Sequence, residues 1–152
     1  MSSKQLEIRA FRVAGLRVNT LNSAEQNAST ARIGPMWQRF FTEGLYESIA
    51  NKTPASKVYG VYSNYESNAS GSFDVTAGVA VDAPAGDYPS IEVEGGQYLV
   101  FDAQGAMPGA VIEAWTRVWA FFEAHPQIKR RFATDFEAYT GPDSVAVHIG
   151  IF

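Results

Sequence analysis

GQYLVFDAQGAMPGAVIEAWTRVWAFF, residues 96–122, is the stretch that decides the fold, because a strand pattern there passes directly into a helix pattern. Residues 96–103 are rich in apolar and aromatic side chains of the kind that favour strands. Pro108 is well suited to the first turn of a helix. Four apolar residues then recur at helical spacing: Val111, Trp115, Val118 and Phe122. The stretch therefore predicts a strand followed by an amphipathic helix.

The preceding half of the chain shows the same order of elements. Residues 6–13 alternate apolar and charged side chains, which predicts a strand with one solvated face that ends before Gly15. A second apolar stripe then has helical spacing: Trp37, Phe40, Phe41 and Leu45. Residues 57–65 and 73–81 are rich in β-branched and aromatic side chains, and they predict an antiparallel hairpin around a loop at 66–72.

The remaining segments complete the second half. A turn-rich connector at 82–87 leads to strand material at 91–93, and Pro126 ends the helix that begins near Pro108. Residues 132–139 and 144–152 predict a final pair of strands. Four residues of the last strand share one face, which must be buried: Val145, Val147, Ile149 and Ile151.

The element order is therefore β-α-β-β, repeated once. It predicts an α+β fold in which two duplicated β-α-β-β halves form one curved antiparallel sheet with two helices on one face. Residues 1–152 are expected to form a single domain, with an internal repeat at about 5–82 and 90–152. The place where the halves meet is a natural cleft for a ligand.

Composition excludes several classes of function. The chain has 152 residues, 46% of them hydrophobic and 18% charged, which is typical of a globular domain. It has no cysteine and only two histidines, so neither a thiolate nor a multi-histidine metal site can form. No glycine-rich phosphate loop opens a helix, and no apolar run is long enough to span a bilayer. We expect a cytoplasmic protein without a metal or another cofactor and without membrane binding.

Aromatic residues are unusually frequent, with ten Phe, seven Tyr and three Trp. This number exceeds the needs of a modest core, so some rings are expected to line a cavity. Glu137 lies in the aromatic strand segment FEAY, where strand alternation alone favours a side chain that points to solvent. If it were buried among rings, it would need compensation, which a planar cation provides through both charge and ring contacts.

Several of these motifs together resemble the GyrI-like, or AraC-type effector-binding, domain family. They are residues 96–108, the helix carrying Trp115 and Trp119, the segment FEAY at 136–139, and the Val-x-Val-x-Ile-x-Ile ending. The resemblance extends from about Leu6 to the C terminus. It implies the duplicated fold, the binding of drugs and other hydrophobic compounds, and a carboxylate at the bottom of the ligand cleft that corresponds to Glu137.

The leading hypothesis is a module that binds hydrophobic, cationic small molecules, with no catalytic residue. Its expected ligand-binding residues are Glu137, Trp37, Tyr46, Tyr59, Trp115 and Tyr139, although each aromatic residue could instead pack in the core. One alternative is a modulator of a protein partner, since stand-alone relatives are linked to inhibition of DNA gyrase. Another is a small hydrolase in which Glu137 acts as a base with Tyr139 beside it.

Charge predicts that the chain does not bind duplex DNA directly at physiological salt. Twelve basic residues are dispersed among sixteen acidic ones, the net charge is −4, and we expect no helix-turn-helix segment. Phosphate contacts need clustered Lys and Arg, and the one compact basic cluster, at 129–131, is too small to follow a nucleic-acid backbone. An electrophoretic shift assay with random duplex should show no complex. A salt-sensitive shift that disappears when this cluster is neutralised would contradict the prediction.

Overall fold

The computed structural model of the protein describes residues 4–27, 29–53, 57–66, 71–83, 86 and 88–152. Within these residues there are eight strands and four helices. The strands are β1 Lys4–Ile8, β2 Phe11–Thr20, β3 Val58–Ser63, β4 Phe73–Val81, β5 Ser90–Val93, β6 Gly96–Gln104, β7 Thr134–Gly141 and β8 Ser144–Gly150. The helices are α1 Asn22–Glu25, α2 Ile33–Thr42, α3 Leu45–Ser48 and α4 Gly109–Ala124.

All eight strands belong to one antiparallel sheet in the order β1-β6-β8-β7-β3-β4-β2-β5. The central pair is β3 and β7, one strand from each half of the chain. The two edge strands are exchanged between the halves, since β1 pairs with β6 and β5 pairs with β2. The sheet is curled into a half-barrel, and the predicted α+β fold class is confirmed.

The helices α2 and α4 lie on the same face of the sheet. α2 packs over β2 and β4, while α4 packs over β6 and β8. Val75, Ala77 and Val79 face α2, and the predicted buried stripe of β8 faces α4. The most buried residues of α4 are Ala110, Ala114 and Val118, and the other predicted stripe residues pack beside them half-buried.

The first predicted strand was wrong in its bounds. Residues 6–13 contain a break at Arg9 and Ala10, so that β1 and β2 pair with different strands. The chain does not leave the sheet at Gly15 but continues in register with β4 up to Thr20. The reason is that Gly15 lies directly opposite Gly78, where two glycines allow the two backbones to approach closely.

The predicted hairpin of β3 and β4 is present. The predicted loop at 66–72 and the connector at 82–87 lie partly outside the described residues. Within the described part of the chain, none of the helices combines the length and the apolar character required to cross a bilayer. The same residues contain no cluster of three His, Asp or Glu side chains arranged to hold a metal ion.

The close approach of β2 and β4 generates a stability prediction. A Cβ atom at Gly78 would lie 2.0 Å from the carbonyl oxygen of Ala14, which is backbone and cannot move away as a side chain can. Gly78→Ala should therefore lower the free energy of unfolding by about 1–3 kcal/mol, measured by urea denaturation. Gly109→Ala is the matched control, because no atom lies within 4 Å of its Cβ position. Equal urea midpoints for the two variants would contradict this account of the sheet.

Candidate functional site

A cavity of about 1150 Å³ lies between α2 and α4, above the central strands. Each long helix covers its own half of the sheet, so the strand pair β3 and β7 is left without a helix over it. Side chains from both helices and both strands line the space. They include Trp37 and Phe41 of α2, Tyr62 of β3, Trp115 and Trp119 of α4, and Glu137 and Tyr139 of β7.

Glu137 lies at the bottom of this cavity, and its residue surface is only 3% exposed. Its Oε2 atom accepts hydrogen bonds from the indole Nε1 of Trp115 at 2.7 Å and from the hydroxyl of Tyr62 at 2.8 Å. Its Oε1 atom accepts one from the hydroxyl of Tyr139 at 2.8 Å. The carboxylate is thus held by three donors, each of them uncharged.

No cation of the described chain compensates this carboxylate. None of the ion pairs within 4.0 Å among the described residues involves Glu137. Of the basic residues that line the cavity, Lys57 is exposed and Arg130 pairs with Asp135. Burial raises the pKa of Glu137 above its ordinary value of 4.5, and the three hydrogen bonds only partly oppose this shift.

The tyrosines that hold the carboxylate remain neutral. Burial raises the pKa of Tyr62 and of Tyr139 above the ordinary value of 10.0, and the neighbouring Glu137 carboxylate raises both further. A neutral hydroxyl donates a hydrogen bond to a carboxylate, so both contacts favour the ionised form of the acid. The acid is therefore poised between burial, which favours its neutral form, and its donors, which favour its charge.

Gly60 makes room for the acid. It lies directly opposite Glu137 in the register of β3 and β7. A Cβ atom at this position would lie 2.8 Å from Oε1 of Glu137 and 3.0 Å from Cζ2 of Trp37. Any larger residue would displace the carboxylate, the indole ring, or both. The local sequence of β3 thus leaves room above the middle of the sheet for the carboxylate of Glu137 and the indole ring of Trp37.

Aromatic rings form the walls of the cavity in two groups. On the α2 side, the ring of Trp37 lies 5.3 Å from that of Tyr139 and 5.9 Å from that of Phe41. On the α4 side, the ring of Trp115 lies 4.9 Å from that of Tyr62. Three large apolar residues at the rim are strongly exposed: Phe41 at 64%, Ile112 at 59% and Trp119 at 49%. An apolar opening of this kind is typical of a binding site rather than a packed core.

Four of the five aromatic residues expected from the sequence line the cavity with Glu137, namely Trp37, Tyr46, Trp115 and Tyr139. Tyr59 does not. It lies on the opposite face of the sheet, where its ring is 5.1 Å from that of Phe11 and 6.0 Å from that of Phe136. The reason is strand alternation, because Gly60 faces the cavity and the adjacent residue must face away.

Tyr62 and Trp119 also line the cavity, although neither was expected there from the sequence. Tyr62 lies two residues after Gly60 on β3, so it shares the cavity face, and only the register with β7 reveals this. Trp119 follows Trp115 by one helical turn, a spacing that places both rings on one side of α4.

His148, which is one of the two histidines, lies on the opposite face of the sheet and stacks on Phe136. Burial lowers the pKa of His148 to about 4, so this side chain is neutral at pH 7.

Comparison with known proteins identifies the family. The model of the Cass2 family, described as integron-associated effector binding protein, matches residues 6–151. None of the curated protein sequences matches the chain. A solved integron cassette protein from the mobile metagenome of Vibrio cholerae is 37% identical, with a TM-score of 0.84, and the match covers 99% of this chain and 95% of that one.

More distant structures share the fold. SAV2435 bound to tetraphenylphosphonium is 20% identical with a TM-score of 0.81, and the match covers 100% of this chain and 94% of that one. The EcmrR C-terminal domain is 11% identical with a TM-score of 0.62, and the match covers 99% and 97%. The resemblance to effector-binding domains that the sequence motifs indicated is thus confirmed. The chain belongs to the Cass2 family of integron-associated effector binding proteins.

Proposed function

We propose that the protein binds lipophilic organic cations in the cavity between α2 and α4, with Glu137 as the charge partner. The observation that carries the proposal is the buried Glu137 carboxylate, which has three uncharged donors and no cation among the described residues. A buried ionised group without a counter-charge is costly, and a bound cation removes that cost.

The surroundings of Glu137 suit a flat or multi-ring cation. A cation near the carboxylate also meets the faces or edges of Trp37, Tyr62, Trp115 and Tyr139, all of which line the same space. Ring quadrupoles attract a cation, and the attraction is stronger where water is excluded. The cavity volume of about 1150 Å³ admits ligands of several rings, which favours breadth over a single tight fit.

SAV2435, which has the same fold, supports the choice of a first probe, because its structure contains tetraphenylphosphonium. A regulatory role through a protein partner and a hydrolytic role remain secondary hypotheses. No contact of Glu137 favours hydrolysis in particular, since its three partners are hydrogen-bond donors already committed to the carboxylate.

The first prediction compares two ligands of nearly the same shape and opposite charge. Tetraphenylphosphonium should quench the fluorescence of the protein, because all three tryptophans line the cavity, while the tetraphenylborate anion should bind far more weakly. Glu137→Gln should weaken binding of the cation by about 1–3 kcal/mol, since it removes the charge and keeps the shape. The titration measures the dissociation constants of both ligands with both proteins.

The matched control is Glu92→Gln, which removes an exposed carboxylate of β5 outside the cavity and changes the net charge equally. It should leave the affinity for the cation unchanged. Equal weakening by the two substitutions would show that only overall charge matters. Equal binding of the cation and the anion by the unmodified protein would refute the proposed role of Glu137.

A second prediction concerns the protein without ligand. Because burial raises the pKa of Glu137, the folded state holds the proton more tightly than the unfolded state, and its contribution to stability is lost as pH rises from about 4.5 through the raised value. Glu137→Gln should therefore gain stability relative to the unmodified protein across this interval and keep the gain above it.

Urea denaturation at a series of pH values measures this difference. Tetraphenylphosphonium should reverse the trend, since it binds the ionised acid and stabilises the unmodified protein more at higher pH. A difference between the two proteins that does not change above pH 4.5 would show that Glu137 is compensated within the free protein.

A further inference from the structure

Arg130 lines the cavity with a buried guanidinium that has an unpartnered donor atom among the described residues. Its side chain is only 8% exposed, and the residue lines the cavity. Among the described residues, the guanidinium donates a hydrogen bond from Nη2 to Oδ2 of Asp135 at 2.8 Å. Its Nε atom is buried and donates to none of them. A buried N–H donor without an acceptor is costly, so Nε of Arg130 has unused donor capacity.

The guanidinium is held firmly despite this deficit. Its central carbon lies 4.3 Å from the ring centre of Phe132 and 5.9 Å from that of Phe122. The backbone of Arg130 is fixed by a bridge to Ile151. Phe132 has a φ of 52°, a conformation that is uncommon outside glycine and costs energy. The chain therefore maintains a strained backbone beside a guanidinium whose buried Nε has no acceptor among the described residues.

Asp135 accepts hydrogen bonds from other groups besides the guanidinium of Arg130. Its Oδ1 atom accepts a hydrogen bond from the backbone nitrogen of Gly150 at 2.8 Å, and its Oδ2 atom accepts one from the hydroxyl of Tyr65. The charge of Asp135 neutralises that of Arg130 and leaves Nε–H without an acceptor among the described residues. The pair as a whole is uncharged and still offers the Nε–H donor, so the acceptor that it fits best is neutral, such as a carbonyl oxygen.

The distance from this pair to Glu137 suits a single ligand. Asp135 and Glu137 are two residues apart on β7 and face the same side, which separates them by roughly 7 Å along the strand. Tyr62 lies opposite Asp135 and donates its hydroxyl to Glu137, so its ring spans the interval between the two positions. The cavity thus has a carboxylate that can pair with a cation at Glu137 and a hydrogen-bond donor at Arg130.

We propose that Arg130 forms a second subsite, which donates a hydrogen bond to a neutral oxygen acceptor carried by the same cationic ligand that Glu137 binds. The natural ligand class is then an aromatic cation bearing a ketone, ester or amide carbonyl a ring's length from its charge. This inference rests on the proposed function and names the ligand class more narrowly.

The test uses phosphonium probes that differ in one substituent. (4-Acetylphenyl)triphenylphosphonium should bind the unmodified protein about three- to tenfold more tightly than (4-ethylphenyl)triphenylphosphonium, as expected for one net hydrogen bond. Arg130→Lys keeps the charge beside Asp135 but has no Nε–H donor. It should abolish the difference between the two probes, and the ratio of their dissociation constants in each protein is the quantity compared.

Each outcome decides a separate point. If neither probe binds, the proposed function fails; if both bind the unmodified protein equally, only the Arg130 subsite is refuted. A preference for the acetyl probe that survives in Arg130→Lys would place the donor elsewhere. Tighter binding of the 4-carboxyphenyl probe than of the acetyl probe would refute a neutral acceptor. Should Arg130→Lys not fold, the uncharged pair Arg130→Met with Asp135→Asn provides the same comparison.

Discussion

The burial of the Glu137 carboxylate without a cation from the described residues is the constraint around which the middle of the molecule is arranged. Three donors from three different elements converge on its two oxygens: Tyr62 from β3, Trp115 from α4 and Tyr139 from the same strand. These bonds reduce the cost of burying the charge but do not cancel it. Under the proposed function, binding of a cation offsets the remaining cost of burying the Glu137 charge.

The topology of the sheet makes this arrangement possible. Because α2 and α4 each cover one half of the sheet, the central strands lie at the floor of a cleft instead of beneath a helix. The exchange of the edge strands β1 and β5 ties the halves together on either side of that cleft. Gly60 then supplies a position without a side chain opposite the acid.

Much of the fold could be predicted because its elements have strong local patterns. The apolar stripe of α4 and the alternating residues of β8 indicate their own buried faces. The site was harder to predict, since the orientation of a strand residue depends on register, a long-range property. Alternation alone favoured a solvent-facing Glu137, which was wrong, and it left the face of Tyr59 undetermined. Only the pairing of β3 with β7 directs the first into the cavity and the second away from it. The Nε donor of Arg130 carries no sequence signal, because its lack of an acceptor among the described residues appears only in three dimensions.

The most direct test of the central claim is the titration of Glu137 itself, followed by carbon-13 NMR of its side-chain carboxyl group. In the free protein, the pKa of Glu137 should lie above the ordinary value of 4.5, because the acid is buried without a counter-charge. Saturation with tetraphenylphosphonium should lower that pKa, since the cation stabilises the ionised form. An ordinary pKa in the free protein that the cation leaves unchanged would contradict the account.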